Sequence, residues 1–427
     1  MRERKRYGDP GFILYLSVSA ILAFLSPGLS RAGALVVRYE STGMVSWVRD
    51  WENNYGADQV ALDESGNVFV VRYENGVVLD PQGDLIWQPS FNGNLFDIAV
   101  TRDGYSYWDC STENACVAKF NLQGQLIWLS TLKGTSVLFL TLRTNEPPYV
   151  LTYCNEIEDD SRCLARLSED GELLWTVWIE KPEDYDVAAA DLELDQNGAI
   201  YVLGYLYPSS LNPGVLYKYD ESGEMVWRVE LADAGQPESF VVDEEGDSYV
   251  SYTRDNPSDD YGVYLKKVNS DGVEEWTEVA DAGEVHAIRD VAISSTRQVV
   301  IASDDLTESY SQGQITVFDA DGQVEWIYDL EGGAENGFET VTIADDGSVV
   351  AAGYLCNEAE EQAHDCRIVT IQFDTEGNVL WRAEYNSEGG DGESGNDLAV
   401  ADNGDVVVVG SYSTGAEKEE EDSGCGC

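Results

Sequence analysis

The sequence predicts an all-β protein, an eight-bladed β-propeller of four-stranded antiparallel blades. Three observations carry that prediction. A turn former, two residues, Gly, three residues and Trp recur at Gly43/Trp47, Gly83/Trp87, Gly124/Trp128, Gly171/Trp175, Gly223/Trp227, Gly272/Trp276, Gly322/Trp326 and Gly377/Trp381. Alternating with this phrase is a strand, a Gly-ended turn and a β-branched strand, as in "LDESGNVFVV" (62–71), "LDQNGAIYVLG" (194–204), "IADDGSVVAAG" (343–353) and "VADNGDVVVVG" (400–410). No stretch holds a helical period, which excludes folds that alternate strands with helices.

Residues 1–34 read as a secretory signal peptide. Arg2, Arg4, Lys5 and Arg6 form a basic start, "FILYLSVSAILAFL" (12–25) an apolar run, and Ala32-Gly33-Ala34 the small residues before a cut expected after Ala34. Fourteen apolar residues fall short of the ~20 that cross a bilayer, and the mature chain offers no membrane span. The fold is expected over 35–413. Residues 35–47 supply two strands and 381–413 end without a partner hairpin, so the N-terminal strands should complete the last blade and remove a sheet edge.

Both recurring phrases are hairpins. Asp or Asn opens the turn by bonding its own backbone, and Gly takes the positive φ that a type I turn with a bulge requires. Two hairpins every 40–55 residues make one four-stranded blade. Weaker copies of the second phrase lie at 100–108 and 242–250. Degenerate ones lie at 141–151 and 293–302, with Asn145 and Arg297 near the glycine position. The tryptophans Trp47, Trp87, Trp128, Trp175, Trp227, Trp276, Trp326 and Trp381 are expected to pack each blade on the next.

Cys110/Cys116, Cys154/Cys163 and Cys356/Cys366 each flank a short acidic loop at one place in the repeat. A hairpin brings such ends within disulfide reach, and a secreted chain meets an oxidising compartment. Three local bridges are expected, each contributing at most ~2–3 kcal/mol for so small a loop. The tail 414–427, "TGAEKEEEDSGCGC" from Thr414, is acidic and is expected to be disordered.

From here the chain resembles known families. "WRAEYNSEGGDGESGNDLAVADNGDVVVVGSY" (381–412) is similar to the bacterial extracellular β-propeller repeat. The Gly-to-Trp spacing resembles the tryptophan-docking repeat of quinoprotein dehydrogenase propellers. The resemblance implies the fold across 35–413. It does not carry the quinone cofactor over, because that family's adjacent cysteine pair is missing here. The acidic run ending in Gly-Cys resembles the start of a cysteine-dependent surface-sorting signal. It implies tethering through Cys425 and Cys427, for which a Cys-x-Cys disulfide or a soft-metal clip is the alternative.

Charge narrows the partners. With 25 Lys+Arg against 80 Asp+Glu, the formal net charge is −55. Such a surface repels nucleic acid, anionic lipid and acidic polysaccharide, and suits salt, divalent cations or a basic partner. A hydrophobic content of 43% excludes a disordered chain. The two histidines, His286 and His364, lie in a connection and in a cysteine-flanked loop, with no "GxSxG" nucleophile motif in the chain. Calcium is the cofactor for which the sequence offers ligands. Gly-rich acidic stretches at 51–59, 331–340 and 386–397 bring oxygen donors on flexible backbone, with Glu388, Asp391, Glu393 and Asp397 as candidates. The resulting expectation is a secreted or cell-surface binding module, non-enzymatic, recognising a protein, glycan or cation at its rim loops, with the periplasm as a second location. The alternatives are an extracellular propeller enzyme on polysaccharide, a glycosidase or lyase, and an envelope-assembly scaffold.

Overall fold

The structure, a computed structural model, describes residues 31–414 except 53–55, 73–74, 90–94, 112–113, 133, 135, 144–145, 155–160, 183–184, 208–212, 232–236, 255–261, 283–285, 307–310, 358–364 and 388–389. Thirty-two strands form eight four-stranded antiparallel sheets. Blades are numbered from the first complete one. Blade 1 runs Gln59–Leu62, Val68–Arg72, Asn75–Leu79 and Leu85–Trp87. Blades 2 to 7 follow in sequence, each with neighbouring strands in chain order. Blade 8 is composite: Gly390–Val400 and Val406–Thr414 are joined by Arg31–Tyr39 and Val45–Glu52.

That composite sheet closes the ring as expected. Arg31–Tyr39 pairs antiparallel with Val406–Thr414, Val37 opposite Val408, and with Val45–Glu52 on its other side. Arg38 adds an ion pair across the seam to Asp405 at 3.0 Å and donates to the Gly66 carbonyl in blade 1. The cut expected after Ala34 would fall inside this strand, where Ala34 is fully buried.

The core is distributed rather than central. Among the described residues, eight apolar clusters each span one interface between neighbouring blades. Val36, Val60, Val70, Val77 and Val407 join blades 8 and 1, for example. The tryptophans seal the outer part of each interface. Each indole lies against the turn glycine of the following blade, Trp47 on Gly83 through Trp326 on Gly377, and Trp381 on Gly43. A Cβ on Gly377, at φ +84°, would sit 2.7 Å from the Trp326 ring. Trp47, Trp128, Trp175, Trp227 and Trp326 also donate from Nε1 to turn carbonyls of the next blade, at 2.8–3.2 Å. The tryptophan phrase recurs because the interface recurs.

The turns follow the same economy. Asp80 Oδ1 accepts from the amides of Gln82 and Asp84, and equivalent Asp, Asn or Ser residues do so elsewhere. In the degenerate turn of blade 6, Arg297 itself takes the left-handed conformation, at φ 65°; Asn145 lies outside the described residues. Disulfides Cys110–Cys116, Cys154–Cys163 and Cys356–Cys366 each link the second and third strands of one blade. Two expectations are corrected. His286 is the first residue of a strand, His286–Ile293, rather than part of a connection. The Gly-rich stretches 331–340 and 386–397 are largely strand, Glu335–Ile343 and Gly390–Val400. Glycine on the paired strands permits their close approach: a Cβ on Gly353 or Gly410 would strike the carbonyl of Gly337 or Ser394.

Candidate functional site in the central channel

The first strand of every blade packs on the first strand of the next, all the way round, so these strands line the axis and decide what the channel presents. In blades 3 to 8 each carries a β-bulge, skipping Leu138, Ala190, Glu238, Arg289, Glu339 and Asn396. A bulge re-aims the next side chain. Reading the residue at that level around the ring gives Gln59, Asp97, Phe139, Asp191, Ser239, Asp290, Thr340 and Asp397. Every second blade supplies an aspartate.

Each aspartate makes the same two-sided contact. Its Oδ1 accepts from the amide of the following residue: Ile98, Leu192, Val291 and Leu398, at 2.7–2.8 Å. The other oxygen reaches the next blade. Asp97 accepts from the Leu140 amide at 2.6 Å and Asp397 from the Val60 amide at 2.8 Å. Asp290 accepts from the Val341 amide at 2.9 Å and the Thr340 hydroxyl at 3.1 Å, and Asp191 from the Ser239 hydroxyl at 3.1 Å. The four carboxylates latch blades 2 to 3, 4 to 5, 6 to 7 and 8 to 1. Gln59 adds a neutral version, its Oε1 accepting from the Ile98 amide.

Electrostatics around the axis are acidic and mutually repulsive. Burial pushes Asp97 and Asp397 up to about 7 and Asp290 to about 6. Carboxylates across the channel add to the rise, Asp191 for Asp97 and Asp290 for both Asp397 and Asp191's neighbour Glu193. Glu193, two positions after Asp191, is also raised, by burial and then by Asp191. Asp58 is raised to about 6 by burial. At the bulge of blade 6, Arg289 Nε bonds Asp304 at 2.7 Å, with Glu339 as a further electrostatic neighbour. Asp109, fully buried in blade 2, steadies the approach to Asp97 by accepting from the Phe96 and Asp97 amides at 2.7 and 2.9 Å.

The calcium candidates separate. Asp397 is a channel latch. Glu393, also buried, accepts from the Ser387 amide at 2.7 Å and from the Ser387 hydroxyl, with Asp365 as its electrostatic neighbour. Glu388 and the side chain of Asp391 lie outside the described residues, as do His364, Cys425 and Cys427. Among the described residues no group of three or more His, Cys, Asp or Glu is placed to hold a metal ion.

Sequence reasoning named Asp397 for another role and missed Asp97, Asp191 and Asp290. A signal was present: "DIAV" (97–100), "DLEL" (191–194), "DVAI" (290–293) and "DLAV" (397–400) recur at two-blade intervals. The intervening strands read "QVAL", "FLTL", "SFVV" and "TVTI".

The ring of sheets has clear relatives. Residues 159–418, from the third strand of blade 3 to the two C-terminal strands of blade 8, match the family described as outer membrane protein assembly factor BamB. The chain belongs to the BamB family. No curated protein matches it. Among solved structures, Sqt1 from Chaetomium thermophilum is similar with a TM-score of 0.57 and 12% identity, over 84% of this chain and 96% of that one. The Dos1 propeller gives 0.52 and 13%, over 82% and 87%. BamB from Moraxella catarrhalis gives 0.49 and 11%, over 82% and 95%. At these identities the two higher-scoring likenesses establish the propeller fold. In this BamB-family chain the matched span holds three of the four aspartate latches, Asp191, Asp290 and Asp397.

Proposed function

We propose that this propeller is a non-enzymatic assembly scaffold of the cell envelope, acting outside the cytoplasm by holding other proteins. The observation that carries the reading is the channel. Raised carboxylates gathered at one axis are a common mark of catalysis. Here both oxygens of Asp97, Asp290 and Asp397 accept hydrogen bonds from the chain itself, which assigns them to holding blades together. General acid–base or nucleophilic chemistry needs oxygens aimed at a substrate. Membership of a family described as an outer membrane protein assembly factor supports the same reading. The leader expected at 1–34 and the three disulfides support an oxidising, non-cytoplasmic location.

The test is depletion of the chain in its source cell, with quantitative proteomics of the envelope and a polysaccharide-turnover assay on purified protein. The scaffold reading expects integral envelope proteins to fall while the purified chain leaves polysaccharide intact. An unchanged envelope together with polysaccharide cleavage would replace it with the enzyme.

A further inference from the structure

The outer strand of each blade is a sheet edge, and exposed edges are templates for pairing unless guarded by charge. Five of the eight are guarded. Val45–Glu52 carries Arg49, Asp50 and Glu52, and Met225–Leu231 carries Arg228 and Glu230. Glu274–Ala282 carries Glu274, Glu275 and Glu278, Val324–Asp329 carries Glu325 and Asp329, and Val379–Tyr385 carries Arg382 and Glu384. The outer strands of blades 1, 2 and 3 carry no charge: "LIW" (85–87), "LIWLST" (126–131) and "LLWTVW" (173–178). In a chain of net charge −55 this is a local exception, and it falls on three consecutive blades.

The exception is open to solvent. Leu129 is 54%, Leu174 56% and Trp178 39% exposed, and Leu85, Ile86, Leu126, Ile127 and Leu173 are exposed beside them. Blade 3 is bordered by acid: Glu169, Asp170 and Glu172 precede its outer strand and Glu180 follows it, all exposed. Apolar edge and acidic ends together specify the complement. An anionic bilayer or a second copy of this chain would bring negative charge against Glu169, Asp170, Glu172 and Glu180. An extended segment alternating apolar and basic residues would bury Leu174 and Trp178 and pair with Asp170 and Glu172, since Glu169 already meets Lys119 at 3.0 Å and Glu180 meets Arg228 at 3.8 Å.

We infer that the outer strand of blade 3, flanked by the apolar edge of blade 2, docks an extended cationic segment of a partner protein as a fifth strand. This deepens the scaffold reading by giving the partner's chemistry, and rests on that reading for the existence of a partner. The two can fail separately, since peptide binding in solution and envelope composition after depletion are different readouts.

The test uses the purified mature chain and fluorescent ten-residue peptides: alternating Lys/Val, alternating Glu/Val, and Lys/Val with a central proline. The Lys/Val peptide should bind. The Glu/Val peptide should not, and the proline peptide should not because it cannot complete the strand ladder. Leu174→Lys should weaken binding by about tenfold or more, as loss of a central apolar anchor does. Val324→Lys, which adds the same charge to the exposed outer strand of blade 6, should leave it within about twofold. Leu174→Ala provides a second reading free of charge change, with melting curves confirming the fold of each variant. Equal weakening by Leu174→Lys and Val324→Lys, or undiminished binding of the proline peptide, would reduce the effect to surface charge and overturn the proposal. Dimerisation through this edge, or binding of phosphatidylglycerol vesicles that Leu174→Lys changes while the Lys/Val peptide fails to bind, would overturn it in favour of a second copy or a membrane.

Discussion

The outer and inner parts of each blade interface are held in opposite ways. At the outside, a tryptophan on a left-handed glycine repeats at all eight interfaces. On the inside, a carboxylate latch occupies alternate interfaces, with Gln59, Phe139, Ser239 and Thr340 between. Apolar packing is non-directional and short-ranged, so neighbouring copies do not interfere. Carboxylates round one axis do interfere: besides burial, Asp191 raises Asp97 and Asp290, and Asp290 and Asp97 raise Asp397. Eight such groups would halve the angular spacing of like charges and increase that repulsion. Alternation keeps the hydrogen bonds and limits the repulsion.

The largest effect should come from breaking the outer contact. Gly377→Val forces a β-branched residue into positive φ and into the Trp326 ring, and should cost about 2–5 kcal/mol, from the left-handed penalty and overpacking together. Gly347→Val is the matched control, because φ is also +84° there but the nearest atom is the Thr375 methyl at 3.1 Å. Urea unfolding of the two variants separates the backbone penalty from the indole contact. Equal losses would mean that the tryptophan adds nothing at that interface.

A smaller loss is expected on the inside. Asp397→Ala leaves the Val60 and Leu398 amides without their acceptor, which should cost about 1–3 kcal/mol. The latch also has a pH signature. A carboxyl whose folded pKa lies above its unfolded value stabilises the fold fully below about pH 4, and the contribution is lost as pH rises through the folded pKa. For Asp97 and Asp397, at about 7, the urea midpoint should fall between pH 4.5 and 8. The double variant Asp97→Asn/Asp397→Asn should have a lower midpoint at pH 4.5 and a shallower slope, so that the two curves converge towards pH 8. A midpoint that rises with pH would show that the hydrogen bonds outweigh burial at these sites.

The smallest effect concerns cations. Glu393 and Asp397 have separate partners, so calcium and magnesium should raise the melting temperature equally at equal ionic strength, through screening alone. Saturating stabilisation by calcium at millimolar concentration or below, weakened by Glu393→Gln, would instead restore a specific site.

Blade count, ring closure through the N-terminal strands, the local disulfides and the packing of each tryptophan on the next blade were legible in the sequence; that the indole lies on the turn glycine was not. Each depends on residues within one repeat or on a repeat-to-repeat identity: Gly where φ is positive, Trp at a fixed offset, cysteines at the ends of one loop. The aspartates were written there too, but their meaning was not. Asp97 reads as one acid among 80 until its strand is placed beside Leu140, a blade away. The bulges that aim Asp191, Asp290 and Asp397 shift the register at Ala190, Arg289 and Asn396, and nothing in those residue types marks a bulge before the strands are paired. Exposure was equally hidden, since "LIW" and "LLW" look like core and the glycine opposite each tryptophan buries only one side of that strand. Residue type and repeat thus specified the blades and their contact surface, because packing and turn geometry are local. Only closing the ring decided which carboxylates face one another and which edges stay open, because both depend on distances between segments that the chain itself leaves unset.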